Sequence, residues 1–238
     1  MKIAIIGYGK MGKEIETAAI ERNHEIVLKI NQDNAHQLTD GSLKAADVAI
    51  EFSMPETAVK NIKHCFDQSI PIVVGTTGWY DKWEEVKTYC EEKKGSLLAA
   101  TNFSVGVNIF FELNRKLANL MGDRKEYQTK IEEVHHTEKL DSPSGTAISL
   151  AEDVLSLSER YNKWENEVSN KENTLPIISF REEGVPGTHT VSYESDIDSI
   201  SISHIANNRK GFAIGAVIAA EFIRDKSGIF QMRDVLKI

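Results

Sequence analysis

The stretch Glu133-Val134-His135-His136-Thr137-Glu138-Lys139-Leu140-Asp141-Ser142-Pro143-Ser144-Gly145-Thr146-Ala147 concentrates residue types that handle protons and carboxylates. His135, as a histidine, can deliver a proton, a role that contributes roughly 10² to 10⁴ in rate. His136 and Lys139 add positive charge. Ser144-Gly145-Thr146 opens the apolar run Ala147 to Leu155, so hydroxyls and free N–H groups gather at a helix N-terminus, where a carboxylate is stabilised. Each residue also has an ordinary reading: Ser144 or Thr146 as a helix cap, Lys139 as a solvated charge, either histidine as a satisfied, partly buried side chain. No metal is expected. Neighbours on a strand point to opposite faces, so His135 and His136 cannot share one ion with Glu132 or Glu133, and no third ligand stands at helical spacing.

A second constellation is Gly7-Tyr8-Gly9-Lys10-Met11-Gly12, a GxGxxG that follows an apolar strand and opens a helical pattern. The first glycine permits the turn, the second lets backbone approach a pyrophosphate, and the third lets helix pack on strand. Aligned N–H donors at the helix start then face the phosphates. About 20 residues further, an acid would bond the adenine ribose of NAD, but Asn31 and then Gln32 stand there. A carboxamide donates and accepts without charge, which suits NADPH or NADH and implies dual use. Lys10 can reach a 2′-phosphate or lie solvated. Two more loops follow strands, Gly75-Thr76-Thr77-Gly78 and Ala100-Thr101-Asn102-Phe103-Ser104. Both fall at the carboxyl edge of the sheet, where ligands of open α/β folds bind; ordinary turn chemistry also explains them.

The elements that must position these residues follow from periodicity. Lys2 to Ile6, Glu25 to Ile30, Asp47 to Phe52, Ile70 to Val74 and Ser96 to Ala100 are short runs rich in Ile, Val and Leu, as strands buried on both faces require. Lys13 to Arg22, the segment from Pro55 toward Asp67, and Lys82 to Lys94 carry helical patterns between them. Five βα units make a Rossmann-type parallel sheet, so the class is α/β. After Phe103 a helix, Val105 to Met121, precedes strands near Tyr127 to Glu133, Ile177 to Phe180, Thr188 to Tyr193 and Ser199 to His204, the pattern of a second, α+β domain. The polar stretch Glu159 to Asn173 reads as a surface loop or weak helix end. A last helix, Phe212 to Arg224, returns to the first domain.

Bulk properties exclude other classes. With 28 basic and 36 acidic side chains the net charge is −8, which disfavours a nucleic-acid surface. The segment Met1 to Gly7 is too short an apolar run for a signal h-region or a membrane span, so a cytoplasmic protein without membrane contact is expected. Cys65 and Cys90 lack CxxC spacing and read as reduced packing residues.

Taken in order, GxGxxG, GTTG, ATNFSVGVN, EVHHxxKxDSPSGTA, PGTHTV and Arg209-Lys210-Gly211-Phe212-Ala213 resemble the dihydrodipicolinate reductase family over essentially the whole chain. The resemblance implies a split dinucleotide-binding domain, residues 1–104 and 208–238, and a substrate-binding and tetramerisation domain, residues 105–207, hinged near Ser104 to Val107 and Asn207 to Arg209. It implies a homotetramer acting on a small dicarboxylate cyclic imine. By the same resemblance Gly7 to Gly12, Gly75 to Thr77 and Ala100 to Phe103 contact the cofactor, His135 donates the proton and Lys139 is a second acid. His136, Gly145 and Thr146, with Ser144 beside them, hold substrate carboxylates. The reaction implied is NAD(P)H-dependent reduction of 4-hydroxy-tetrahydrodipicolinate, or its dehydrated form, to tetrahydrodipicolinate in diaminopimelate and lysine biosynthesis, with hydride to ring C4. Two departures stand out: a phosphate turn one residue shorter than the family's common form, and Glu51 where Asp is usual. Another dehydrogenase of a small amino or carboxylic acid, or a non-catalytic nicotinamide sensor, would share the fingerprint but has no need of the His-His-Lys and Ser-Gly-Thr pairing.

Overall fold

Period-two alternation of apolar residues decides how the first sheet is packed. In the computed structural model, which describes residues 1–168, 171–208 and 210–238, two compact units form: Met1–Val105 with Lys210–Ile238, and Gly106–Arg209. Arg209, in the RKGFA segment and the expected hinge, and Ser169 and Asn170, in the polar stretch, lie outside the described residues.

The elements in chain order are β1 (Lys2–Ile6), α1 (Lys10–Glu21), β2 (Glu25–Ile30), β3 (Val48–Glu51), α2 (Pro55–Asp67), β4 (Ile72–Val74), α3 (Trp83–Glu92), β5 (Ser96–Ala99), α4 (Val105–Met121), β6 (Gln128–His135), α5 (Gly145–Leu157), β7 (Lys163–Glu165), β8 (Thr174–Arg181), β9 (Gly187–Glu194), β10 (Ser199–Ala206), α6 (Lys210–Ile223), β11 (Gly228–Phe230) and α7 (Met232–Leu236). Short 3₁₀ turns lie between some of them.

The first unit is a parallel sheet in the order β11-β5-β4-β3-β1-β2. Ala4, Ile6, Ala49, Ile72, Val74 and Leu97 face α2 and α3 through Ala58, Ile62, Phe66 and Val86. Ile3, Ile5, Val48, Ile50, Val73 and Leu98 face α1 and α6 through Ile15, Ala19, Ala216 and Ala220. Each isoleucine buried in this way contributes roughly 1.5–3 kcal/mol. The small face of α6 lets it lie close to the chain that follows β5: a Cβ on Gly215 would stand 1.7 Å from the Phe103 carbonyl oxygen. Cys65 and Cys90 are free and buried within the α2/α3 layer, and burial pushes the Cys90 thiol up to about 11.

The sheet has six strands where five were expected. The sixth, β11, is a three-residue piece beyond Gly228 that pairs with β5, too short to show a period. β7 likewise sits inside the polar stretch read as a loop, with Trp164 its single apolar residue.

The second unit is a mixed sheet, β10-β9-β6-β8-β7. One face packs on α4 and α5, joining Phe110, Met121, Leu150 and Val154 to Ile131, Ile177 and Val191. β9 pairs with β6 on one side and β10 on the other. β10 is therefore an edge of this sheet, while β9 is interior.

Candidate active site

Sheet register assembles the polar centre of the second unit. Glu133 on β6 stands opposite His189 on β9 and Ser179 on β8, and His135 stands opposite Arg181. Along β6 the burial pattern alternates, with Ile131, Glu133 and His135 all buried. One face of the strand therefore turns from apolar to ionisable over its last turn of chain.

The contacts are close. His135 Nε2 lies 3.3 Å from Glu133 Oε2 and 3.3 Å from His189 Nε2, and His189 Nε2 is 3.0 Å from Ser144 Oγ. Glu133 accepts from the Ser144 N–H at 3.0 Å and from Ser179 Oγ at 2.7 Å. Burial would raise the Glu133 carboxyl, but the hydrogen bonds from His135, His189, Ser144 and Ser179 outweigh it and hold the group well below the usual carboxylate range. Burial lowers the pKa of His189, against the opposing pull of Glu133. Glu133, His135 and His189 also form a three-donor group with all atoms within 4.8 Å. This third donor comes from β9, which the metal argument from local spacing did not consider; Glu133 already receives protein donors on both oxygens.

The turn into α5 carries two N–H groups without an intrahelical acceptor. Ser144 is the N-cap, its Oγ accepting from the Ala147 N–H, while its own N–H goes to Glu133. The N–H groups of Gly145 and Thr146 have no intrahelical acceptor. A Cβ on Gly145 would meet no atom within 4 Å, so the space above the turn is open. Ser144 itself is buried and committed on its side chain and its N–H. His136 presents a buried Nδ1 without a hydrogen-bond partner. Lys139 is not a lone cation: its ammonium pairs with both Asp141 oxygens at 2.9 Å, which draws the Asp141 carboxyl down. Arg181 straps this loop, donating to the Asp141 carbonyl at 2.8 Å and the Lys139 carbonyl at 3.4 Å.

In the first unit, Gly7 adopts φ +95°, and a Cβ there would lie 2.1 Å from the Phe52 carbonyl oxygen, so only glycine makes this turn. Gly9 caps α1 with no side-chain hydrogen bond, and its Cβ would find no atom within 4 Å. Backbone donors thus face open space, as a pyrophosphate requires. Beside them a cavity of about 440 Å³ is lined by Gly7, Tyr8, Gly9, Asn31, Gln32, Asp33, Ser53 and Met54 among others, so these residues fit a dinucleotide.

The remaining expected cofactor residues are placed differently. Asn31, in the cavity lining, spends its Oδ1 on the N–H groups of Asp33 and Asn34. Lys10 heads α1 outside the cavity lining, and Asp33, which the reading of Asn31 and Gln32 passed over, is inside it. Tyr8 donates to Glu16, which pairs with Lys29 at 2.5 Å. Met11 packs on the α1/α6 layer. Gly75, Thr76, Thr77 and the segment Ala100, Thr101, Asn102, Phe103 lie at the carboxyl ends of β4 and β5, outside that cavity. Gly75 packs on the Phe52 ring, Thr76 Oγ1 accepts from the Ser53 N–H, Asn102 Oδ1 accepts from the Ser104 N–H and Phe103 is core. Beneath the cavity Glu51 is buried and takes hydrogen bonds from Ser53 and Asn61; burial pushes its carboxyl upward.

Residues 1–103 match the family model described as dihydrodipicolinate reductase, N-terminus, and residues 106–236 match that described as dihydrodipicolinate reductase, C-terminus. The chain belongs to the dihydrodipicolinate reductase family. The 4-hydroxy-tetrahydrodipicolinate reductase of Christiangramia forsetii is 50% identical over 237 residues, covering 99% of this chain and 98% of the relative. That of Neisseria gonorrhoeae is 31% identical over 264 residues, covering 99% and 97%. Among solved structures, the dipicolinate-bound dihydrodipicolinate reductase from Paenisporosarcina sp. TG-14 superposes with a TM-score of 0.76 at 21% identity over 97% of both chains, a likeness of fold. The reductase is an NAD(P)H-dependent oxidoreductase, and no helix among its described residues is long and apolar enough to cross a membrane.

What reading the reductase sequence missed is the far side of the His135 ring: His189, Ser179 and Arg181, with Glu133 considered only as a metal ligand. The motif Pro186-Gly187-Thr188-His189-Thr190-Val191 supplied the histidine, but its meeting with Glu133 is set by the β6/β9 register, in which Thr188 lies opposite Val134 and His189 opposite Glu133.

Proposed function

We propose that the reductase converts 4-hydroxy-tetrahydrodipicolinate, or the species already dehydrated from it, to tetrahydrodipicolinate in the diaminopimelate route to lysine. The observation that supports this best is one carboxylate, Glu133, touching both a buried titratable histidine and the turn whose Gly145 and Thr146 N–H groups are vacant. Proton delivery and carboxylate binding are thereby held in one rigid cluster, as reduction of a cyclic imine flanked by carboxylates demands.

A bound NADH or NADPH supplies the hydride, received at ring C4. The chain's own residues manage charge and protons. Gly145, Thr146 and His136 hold the substrate carboxylates. Lys139 exchanges part of its pairing with Asp141 for the substrate, neutralising developing charge and assisting the departing hydroxyl. His135 protonates the carbon next to C4. Residues Gly7 to Gly12, Asn31, Gly75 to Thr77 and Ala100 to Phe103 bind the cofactor. Both cofactors serve: Asn31 offers an uncharged donor, and Asp33 in the lining offsets Lys10 outside it, so neither form is strongly favoured.

The second unit also builds a homotetramer in the cytoplasm. Edge strand β10, with Ile200 and Ile205 41% and 65% exposed, supports this, because unpaired edges and apolar side chains favour pairing with a further copy. The functional test is oxidation of NADH and NADPH with freshly made substrate, with aspartate, and without either. Oxidation with the first alone is expected; oxidation with aspartate marks a different dehydrogenase, and binding without oxidation marks a sensor.

A further inference from the structure

We infer that Glu133 is the positioning residue of the proton donor: its carboxylate fixes a proton on His135 Nε2 and couples that ring to the substrate-binding turn. The inference rests on the reading of His135 as donor.

Among the described residues, the polar contacts of the His135 ring run through Nε2, to Glu133 Oε2 and His189 Nε2. Nδ1 is therefore the nitrogen that can face a substrate, and its edge is kept clear by Gly187, where a Cβ would stand 3.0 Å from Cε1 and 3.3 Å from Nδ1. The charges around the ring come from every packed element. Glu133 lies on β6, His189 on β9, and Arg181 on β8 with Nη1 3.9 Å from Glu133 Oε1; the Lys139–Asp141 pair lies on the loop.

Glu133 has no exposed surface and four hydrogen-bond donors, so it stays ionised. Burial lowers the pKa of His189, and His135 beside it acts in the same direction. A buried anion 3.3 Å from His135 Nε2 holds the proton on that nitrogen.

The proton balance then closes. Hydride addition at C4 leaves an aza-enolate. Its C=C electron pair forms a C–H bond with the Nδ1 proton of His135, the Nδ1–H bond breaks, and the nitrogen pair restores C=N. His135 is left neutral with its remaining proton on Nε2, accepted by Glu133, and water reloads Nδ1. Glu133 never changes protonation. It touches no substrate. Through the Ser144 N–H it also keeps the turn bearing Gly145 and Thr146 in register with the ring.

The test is the pH profile of kcat for wild type and Glu133→Gln, each as the full-length enzyme. Loss of the anion should move the alkaline limb down by about one unit or more, so that turnover near pH 8 falls about tenfold or more yet approaches wild type on the acid side. A uniform loss with an unmoved limb would overturn the inference, since a purely structural role gives that pattern. Should Glu133→Gln fail to fold, ¹⁵N NMR of wild type decides. Above its titration His135 should carry its proton on Nε2, with that proton shifted downfield; a proton on Nδ1 overturns the inference. Full turnover in His135→Gln would instead show that the donor assignment itself has failed. Loss there with an unmoved limb in Glu133→Gln rejects this inference alone.

Discussion

Replacing Ser144 by alanine separates two roles that the turn into α5 combines. Ser144 Oγ accepts from the Ala147 N–H at 3.2 Å and contacts His189 Nε2 at 3.0 Å, while the Ser144 N–H to Glu133 belongs to the backbone and survives the change. Loss of an N-cap costs about 1 kcal/mol, and losing the contact with His189 Nε2, which keeps Glu133 Oε2 at 3.5 Å, costs about 0.5–1.5 kcal/mol more. A loss of roughly 1.5–2.5 kcal/mol follows, which for a chain of 238 residues lowers Tm by roughly 3–10 °C at about 2–4 °C per kcal/mol. Substrate binding should change little, because the vacant donors are the N–H groups of Gly145 and Thr146. Scanning calorimetry with steady-state kinetics on the same preparation checks both halves. A KM raised more than about tenfold with Tm unchanged would refute the reasoning and make the Ser144 hydroxyl a direct substrate ligand.

Lys139→Ala should lower turnover and substrate affinity together, since a cation beside a dicarboxylate acts in ground and transition states alike; a pure KM effect in initial-rate data would demote it to a binding residue. Asp33→Asn should raise kcat/KM for NADPH relative to NADH by a few-fold, about 1 kcal/mol at an exposed site, and an unchanged ratio would place phosphate recognition elsewhere. Stability should fall on mild acidification. His189 is held below its ordinary value of 6.5 by burial, so its contribution is complete above that pH and is lost below it, where the unfolded chain binds a proton the folded one refuses, by at most about 1.4 kcal/mol per pH unit. His64 and His204 are shifted the same way, chiefly by burial. Denaturant titrations at pH 7.5 and 5.5 that showed the reverse trend would contradict this.

Signals that are local in the chain were legible. Pro55 starts α2 at its first residue, the bounds Val105 to Met121 of α4 agree with the periodicity, and Gly7 to Gly12 stand at the strand–helix turn that the fingerprint needs. The five principal strands of the first unit announced themselves as Ile-, Val- and Leu-rich runs, although β2, at the sheet edge and only partly buried, is broken by Lys29. Signals that depend on pairing were not. β11 and β7 are three residues long and owe their strand form to neighbours β5 and β8. His189 meets Glu133 only through the β6/β9 register, which no spacing along the chain encodes. Asp33 enters the cavity lining, and Asn31 spends its carbonyl on its own loop, because the chain after β2 folds back on itself through Asx-type hydrogen bonds. Helix-start serines are equally ambiguous in sequence: the same Ser144 fits a ligand or a cap, and only its buried partners distinguish them.

The most direct test of His135 as the proton donor of the proposed reduction is turnover of His135→Gln with freshly made substrate, measured beside the affinity of the same protein for NADH. Turnover should fall about 10²-fold or more while cofactor affinity stays near wild type, because only proton delivery is removed. Turnover at the wild-type rate would contradict the assignment.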